Sequence, residues 1–162
     1  MDYIQTLLSS INNQKGLVAK HLNDEMMLRK EDLIKQNIYQ IENHIGADGK
    51  FLNNTNSLFK GTYKQLTVDY AKAGIPTKPL LSKNLGDAYN FVWSGDFVNN
   101  FEMGVDGFDY KLFSTGTGSG SKKAFFDGYK NLYGIVKEER ENLYNEVGYD
   151  IIIRMLNNIY KK

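Results

Sequence analysis

The sequence predicts an α+β fold in which an antiparallel sheet, built on a central β-hairpin, packs against N-terminal helices and a long C-terminal helix. Apolar residues recur at helical spacing over residues 1–45 and again over 136–162. Residues 46–135 are mixed and contain one stretch of two-residue alternation. The chain of 162 residues shows no internal repeat and no boundary, so a single domain is predicted over residues 1–162.

The hairpin is the centre of this prediction. Strands are expected over about residues 97–105 and 108–114, with the turn at Asp106-Gly107, because Asp-Gly suits a two-residue type I′ turn. This register pairs Glu102 directly with Lys111, which is a favourable cross-strand charge pair. It also places six apolar side chains on one face as three facing pairs: Val105–Phe108, Met103–Tyr110 and Phe101–Leu112.

The N-terminal region is predicted to be helical throughout. Gly16 bends or ends the first helix, so the region holds two or three helices, the last of which starts at about Lys30. Gly46 is the expected C-terminal stop of that last helix.

A loop is expected over residues 47–57, which are rich in Asn, Asp and Gly. Apolar residues then recur at helical intervals over 59–70, although a short helix opening at Thr67 fits equally well. Gly74 is expected to end that short helix. Residues 76–79, with a proline at each end, are expected to hold the chain extended.

Beyond the hairpin, the glycine-rich residues 116–121 are expected to form a flexible loop. A short helix is predicted from Lys122 to about Leu132, and a long helix from about Lys137 to Tyr160. The long helix carries a stripe wide enough to be buried against a sheet or a partner helix. Its members are Leu143, Val147, Ile151, Met155 and Ile159, with Tyr144, Ile152, Leu156 and Tyr160 alongside.

Composition excludes several classes of function. The net charge of +1 provides no strong field for nucleic acid or for an acidic membrane. The absence of cysteine excludes disulfides, thiolate zinc sites and cysteine nucleophiles. Neither a signal peptide nor an apolar run long enough to cross a membrane is recognisable. No cofactor, no membrane partner and no specific nucleic-acid partner are predicted.

The segment from Gly116 to Lys122 lies between a strand and a helix, where backbone N–H groups can cradle phosphate. The phosphate-loop pattern requires four residues between its two glycines and a lysine directly after the second glycine. Here Ser121 separates Gly120 from Lys122, so the pattern fails and a strand-to-helix linker is favoured.

No catalytic or metal-ligating residue is predicted. His21 lies among apolar neighbours and His44 near a helix end, and neither has a partner at metal-ligand spacing. Five acids gather around the hairpin, where turn-forming or solvated roles are favoured. These acids are Asp87, Asp96, Glu102, Asp106 and Asp109.

Trp93, beside Phe97, is expected to be a core anchor, with an interface hot spot as the alternative. A candidate interface therefore combines Trp93 and Phe97 with three glycines of the flexible loop: Gly116, Gly118 and Gly120.

The order of turns and caps along the chain resembles a known family. The matching segments are Tyr39–Gly49, Tyr63–Pro76, Trp93–Phe97 and Asn131–Ile135, within residues 33–145. They resemble small virion structural proteins of tailed bacteriophages, of the tail-completion or head–tail connector type, particularly from phages of Bacteroidetes-type hosts. Ser94, where the family has Thr, and Ile135, directly after Gly134, depart from that pattern.

The resemblance implies a non-enzymatic neck or tail protein that works through subunit contacts and has no catalytic residues. The implied partners are other copies of the chain and neighbouring portal, connector or tail proteins. The implied location is the virion, after synthesis in the host bacterial cytoplasm. Two alternatives remain: a phage-encoded nucleotide-binding or hydrolytic enzyme that uses the Gly116–Lys122 loop, and a cytoplasmic protein-binding module.

Overall fold

A computed structural model describes residues 3–59, 61–74, 84–89, 91, 95–106 and 109–160. Over these residues the α+β class is confirmed, as are the two-stranded antiparallel hairpin and the long C-terminal helix. The helices are α1 Tyr3–Leu28, α2 Lys30–Glu42, α3 Gln65–Lys72, α4 Asp96–Asn99, α5 Gly120–Asp127 and α6 Lys137–Tyr160. The strands are β1 Phe101–Asp106 and β2 Asp109–Ser114, and a 3-10 turn covers Thr115–Thr117.

Contacts along the chain define two compact units. One unit comprises the chain up to Glu31 together with the chain from Glu138 onward, and therefore contains α1 and nearly all of α6. The other unit, Asp32–Lys137, contains the hairpin and the remaining elements. The single domain over residues 1–162 stays a prediction.

The hairpin forms with a register that differs from the predicted one. The strands pair with Asp106 opposite Asp109, so Asp106 is a strand residue and not the first residue of the turn. Glu102 faces Phe113, and the predicted direct pairing of Glu102 with Lys111 is therefore wrong. Each residue of β1 pairs two positions further along β2 than predicted, which leaves the alternation of faces intact.

Contacts at the open end of the hairpin explain this register. The buried Ser114 hydroxyl, at the end of β2, donates to the Phe97 carbonyl at 2.6 Å and accepts from the Gly116 N–H at 3.1 Å. Its cross-strand neighbour Phe101 is buried in the core. Because α4 occupies the start of the strand predicted over 97–105, β1 begins later than expected. Tertiary contacts, rather than turn chemistry, thus set the pairing.

The end of α2 is also not where it was predicted. The Ile45 N–H donates to the Gln40 carbonyl at 2.8 Å, and the His44 N–H donates to the Ile41 carbonyl at 3.0 Å. His44 has a φ of 61°, so it takes the left-handed position that closes a Schellman motif. The helix therefore ends before Gly46, which is not its stop. Gly74, with a φ of 71°, does follow the end of α3 as predicted.

The core of the second unit is largely aromatic. Phe97 stacks on Phe126 with ring centroids 4.3 Å apart, and Phe91 meets Tyr129 edge-on at 4.9 Å. Such pairs stabilise a core by about 0.5–1.5 kcal/mol beyond their buried area. The buried cluster consists of Ile41, Leu52, Phe91, Phe97, Phe101, Phe126, Tyr129 and Leu132.

A buried acid organises the first unit. α1 runs through Gly16 without a break and brings Glu25 to a position where its side chain is only 4% exposed. The Glu25 carboxylate accepts from Arg29 at 2.5 Å and also from Arg154 of α6. Arg29 bonds Asp150 of α6 at 2.6 Å as well. The hydrogen bond to Glu25 is the main cause of the raised pKa of Arg29.

Candidate functional site

The second unit contains a cavity of about 650 Å³, within the range of pockets that hold small ligands. Its walls come from the first turn of α3, from α4 and α5, and from the loops that precede α3 and α4. Of the thirteen described residues that line it, seven are aromatic, so aromatic rings dominate its surface. They are Phe59, Tyr63, Tyr89, Phe91, Phe97, Phe125 and Phe126.

Edge-to-face contacts hold these rings in place. Tyr63 meets Tyr89 with centroids 4.9 Å apart and planes at 84°, and Tyr89 meets Phe125 at 5.2 Å and 88°. Phe59 meets the same Phe125 at 5.6 Å and 85°. This T-shaped arrangement is the one that ring quadrupoles favour. Burial raises the pKa of the Tyr89 phenol.

The charged groups in the lining are cations. Lys64 and Lys122 line the cavity, and no carboxylate is found among its described lining residues. Lys122 bonds Asp96 at 3.2 Å in a pair that is partly exposed on both sides. No ion pair joins Lys64 to another described residue. The cavity is therefore apolar on its aromatic side and basic where the two lysines lie.

Residues 116–121 were predicted to be a flexible loop, but most of them belong to regular secondary structure. They include the end of the 3-10 turn and the first residues of α5. Gly116 is buried against α4, so closely that a Cβ there would lie 2.0 Å from the Asp96 carbonyl oxygen. Gly118 and Gly120 have φ of 68° and 57° and are exposed.

The structure describes four of the five residues predicted to form an interface. Trp93 lies outside the described residues. Phe97 and Gly116 are buried inside the second unit, whereas Gly118 and Gly120 are exposed. The interface itself stays a prediction, and Phe97 and Gly116 are not on the surface of the single chain.

Of the acids singled out from the sequence, Asp106 and Asp109 lie opposite each other across the hairpin. Both ring nitrogens of His21 are buried without a hydrogen-bond partner among the described residues, while His44 packs against Phe51 with centroids 5.6 Å apart. Asp87 accepts from the Asn84 amide at 3.0 Å. In the described part of the chain, no cluster of three or more histidine and acidic side chains could hold a metal ion.

A second candidate site lies on α6. Val147 and Ile151 are buried within the first unit, but another set of apolar side chains on this helix is exposed. We name this set the outer stripe: Tyr149, Ile152, Ile153 and Leu156, which are 65%, 57%, 38% and 42% exposed. Its spacing of three, four and seven residues places it on one face. The broad stripe predicted for this helix is therefore divided, since Ile152 and Leu156 are exposed.

The cavity was not predicted from the sequence. Its lining includes Tyr63, Lys64, Tyr89 and Phe125, and none of these four was a predicted site residue. The only signal in the sequence was the high content of tyrosine and phenylalanine, eleven and nine residues.

None of the helices in the described ranges is long and apolar enough to span a bilayer. Comparison of the chain with protein-family models, with curated proteins and with solved structures yields no match.

Proposed function

We propose that the protein is a non-enzymatic structural component of a tailed-phage particle, of the head–tail connector or tail-completion type, and that it assembles with other copies of itself. The outer stripe of α6 is the observation that carries the assembly part of this proposal. The phage context is supported by the resemblance of the Tyr39–Gly49, Tyr63–Pro76, Trp93–Phe97 and Asn131–Ile135 segments to small virion proteins.

A helix that buries one apolar face within its own unit normally presents polar residues on the other. α6 instead exposes four large apolar side chains at the spacing with which helices pack against one another. Contiguous exposed apolar surface of this kind is typical of a protein–protein contact. The outer stripe is therefore best explained as a surface that a second helix covers.

Charge favours an antiparallel second copy of α6 as the occupant. Residues 137–149 carry four acidic and two basic side chains, a net charge of −2. Residues 150–160, the rest of the helix, carry one acidic and one basic side chain, a net charge of zero. Two copies related by a twofold axis place the acidic half of each helix beside the neutral half of the other. A parallel arrangement would place the two acidic halves together.

The double substitution Ile152→Glu with Leu156→Glu tests the assembly. Both side chains are exposed in the single chain, so the variant should fold and keep its helical circular dichroism. We expect the unsubstituted protein to have a mass by light scattering of at least twice 18.5 kDa, and the variant to be monomeric. Leu66→Glu, at an exposed apolar residue of α3, is the matched control and should keep the assembled mass.

A monomeric mass for the unsubstituted protein at all concentrations, or an assembled mass for the double variant, would contradict this mode of assembly. The phage context has a separate test, which is mass spectrometry of purified particles. Absence of the chain from the particles would remove that part of the proposal while leaving self-association standing.

The alternative of a nucleotide-handling enzyme that uses the Gly116–Lys122 loop is less well supported. Gly116 lies against the Asp96 carbonyl, and its N–H is used by Ser114. That N–H is therefore not free to bind a phosphate. Binding of ATP or GTP that is lost on Lys122→Ala would nevertheless favour the enzyme.

A further inference from the structure

We propose that the aromatic cavity of the second unit is a binding site for a small planar aromatic molecule that carries an anionic group, such as a carboxylate, sulfonate or phosphate. The juxtaposition of an aromatic wall with two lysines and two helix N-termini carries this inference. It is independent of self-association, because every lining residue belongs to the second unit.

The size and rigidity of the cavity suit a ring system. A cavity of about 150 Å³ in a protein core holds a single benzene ring, so about 650 Å³ has room for two or three rings with a substituent. Tyr63, Tyr89 and Phe125 are fixed by their mutual edge-to-face contacts. Binding therefore need not order these walls, which reduces its entropic cost.

Two helix N-termini add to the preference for an anion. Lys64 is the N-cap residue of α3, and Thr67 lies in the first turn of that helix. Ser121 and Lys122 lie in the first turn of α5, whose N-cap is Ser119. Neither N-cap side chain makes a capping hydrogen bond. The positive ends of both helix dipoles thus lie where the cavity wall contains lysine.

The two lysines are available to a ligand. The pair between Lys122 and Asp96 is partly exposed, and such pairs contribute little free energy. An anion in the cavity can therefore compete with Asp96 for the lysine. Lys64 makes no ion pair with a described residue, so a bound anion does not have to displace any acid of the described part of the chain from it.

A matched pair of fluorescent probes tests the proposal. 1-Anilinonaphthalene-8-sulfonate is an aromatic anion with a planar naphthalene ring system, and N-phenyl-1-naphthylamine has the same rings without the charge. We expect both to bind the full-length protein, the sulfonate more tightly. Lys64→Met should weaken binding of the sulfonate on the order of fivefold, because one charge contact is lost, and should leave binding of the amine unchanged. Lys72→Met is on the same helix but outside the lining, so it should not change the affinity for either probe.

Two further variants locate the binding site. Thr67→Trp places a large side chain in the cavity wall and should abolish binding of both probes. The Ile152→Glu, Leu156→Glu variant removes the outer stripe of α6 as a dye-binding surface and should retain the tight site. Circular dichroism confirms that each variant is folded.

Three results would overturn the inference. If neither probe binds, the cavity is not a binding site. If Lys64→Met weakens the binding of both probes equally, or of neither probe, the site does not select an anion. If binding is lost with the α6 variant and kept with Thr67→Trp, the probes bind outside the cavity.

Discussion

Replacing Gly116 by alanine should destabilise the protein strongly, although it adds only one methyl group. That methyl group would lie 2.0 Å from the Asp96 carbonyl oxygen and 2.8 Å from the Phe97 backbone nitrogen. Ordinary van der Waals contact begins at 3.4 Å, so the two backbone segments would have to separate by about 1.4 Å. A flexible side chain could move aside, but these neighbours are backbone atoms of α4.

The expected loss in the free energy of unfolding is about 3 kcal/mol, the upper end of the range for overpacked sites. The separation would also stretch the bonds that Ser114 makes to Phe97 and to Gly116 itself. Gly148→Ala is the control, because its added methyl group would lie within 4 Å of no atom other than the neighbouring backbone of α6 itself. It should stabilise the protein by up to about 1 kcal/mol, since alanine favours helix over glycine.

Urea unfolding followed by circular dichroism measures both effects. Gly116→Ala should lower the midpoint by about 1 M or more, given the usual dependence of stability on denaturant for a chain of this size. A midpoint for Gly116→Ala equal to that of the unsubstituted protein would show that the close contact between the glycine and α4 is not present in solution.

Three further changes should each have a measurable effect on unfolding. Glu25→Gln should lower the free energy of unfolding by about 2 kcal/mol because two arginines lose a buried carboxylate, whereas Asp32→Asn, at an exposed pair, should leave it unchanged. Ser114→Ala should cost about 1–3 kcal/mol by leaving two buried backbone groups without a partner; a smaller loss would mean that water replaces the hydroxyl. Burial raises the pKa of Tyr129 to about 12. The contribution of this shift to the free energy of unfolding is therefore fully present below about pH 10 and is lost as the pH rises through about 12. Between about pH 9 and pH 11, the urea midpoint should fall less for Tyr129→Phe than for the unsubstituted protein. An equal fall for the two proteins would contradict the raised pKa of Tyr129.

Local patterns in the sequence were sufficient for the type of most elements. The hairpin alternation and the long stripe of α6 depend only on neighbours within a few residues, and both elements are present. The hairpin register depends instead on the contact of Ser114 with Phe97, which lies 17 positions away in the chain. On its own, the Asp-Gly pair at residues 106 and 107 favours a turn at that point. The hydrogen bond that holds Ser114 at the open end of the hairpin outweighs this local preference.

Burial was harder to predict than helicity. Glutamate is usually exposed, and the burial of Glu25 is explained only by its ion pairs with two arginines. The same limit applies to the cavity, whose walls come from segments as distant as Phe59 and Phe125. An aromatic residue in a sequence looks the same whether it fills a core or lines a pocket. The distinction depends on long-range packing, which single-sequence patterns do not contain.

The chain order of the two units has a consequence for synthesis on the ribosome. The second unit is one continuous segment, so it can fold once residue 137 has left the exit tunnel. α1 is made before the second unit, yet the acid that Arg29, the residue after α1, bonds on α6 lies 121 positions later. Glu25 in the nascent α1 therefore lacks Arg154 until α6 has emerged. α1 is thus synthesised before the second unit but reaches its native contacts after it.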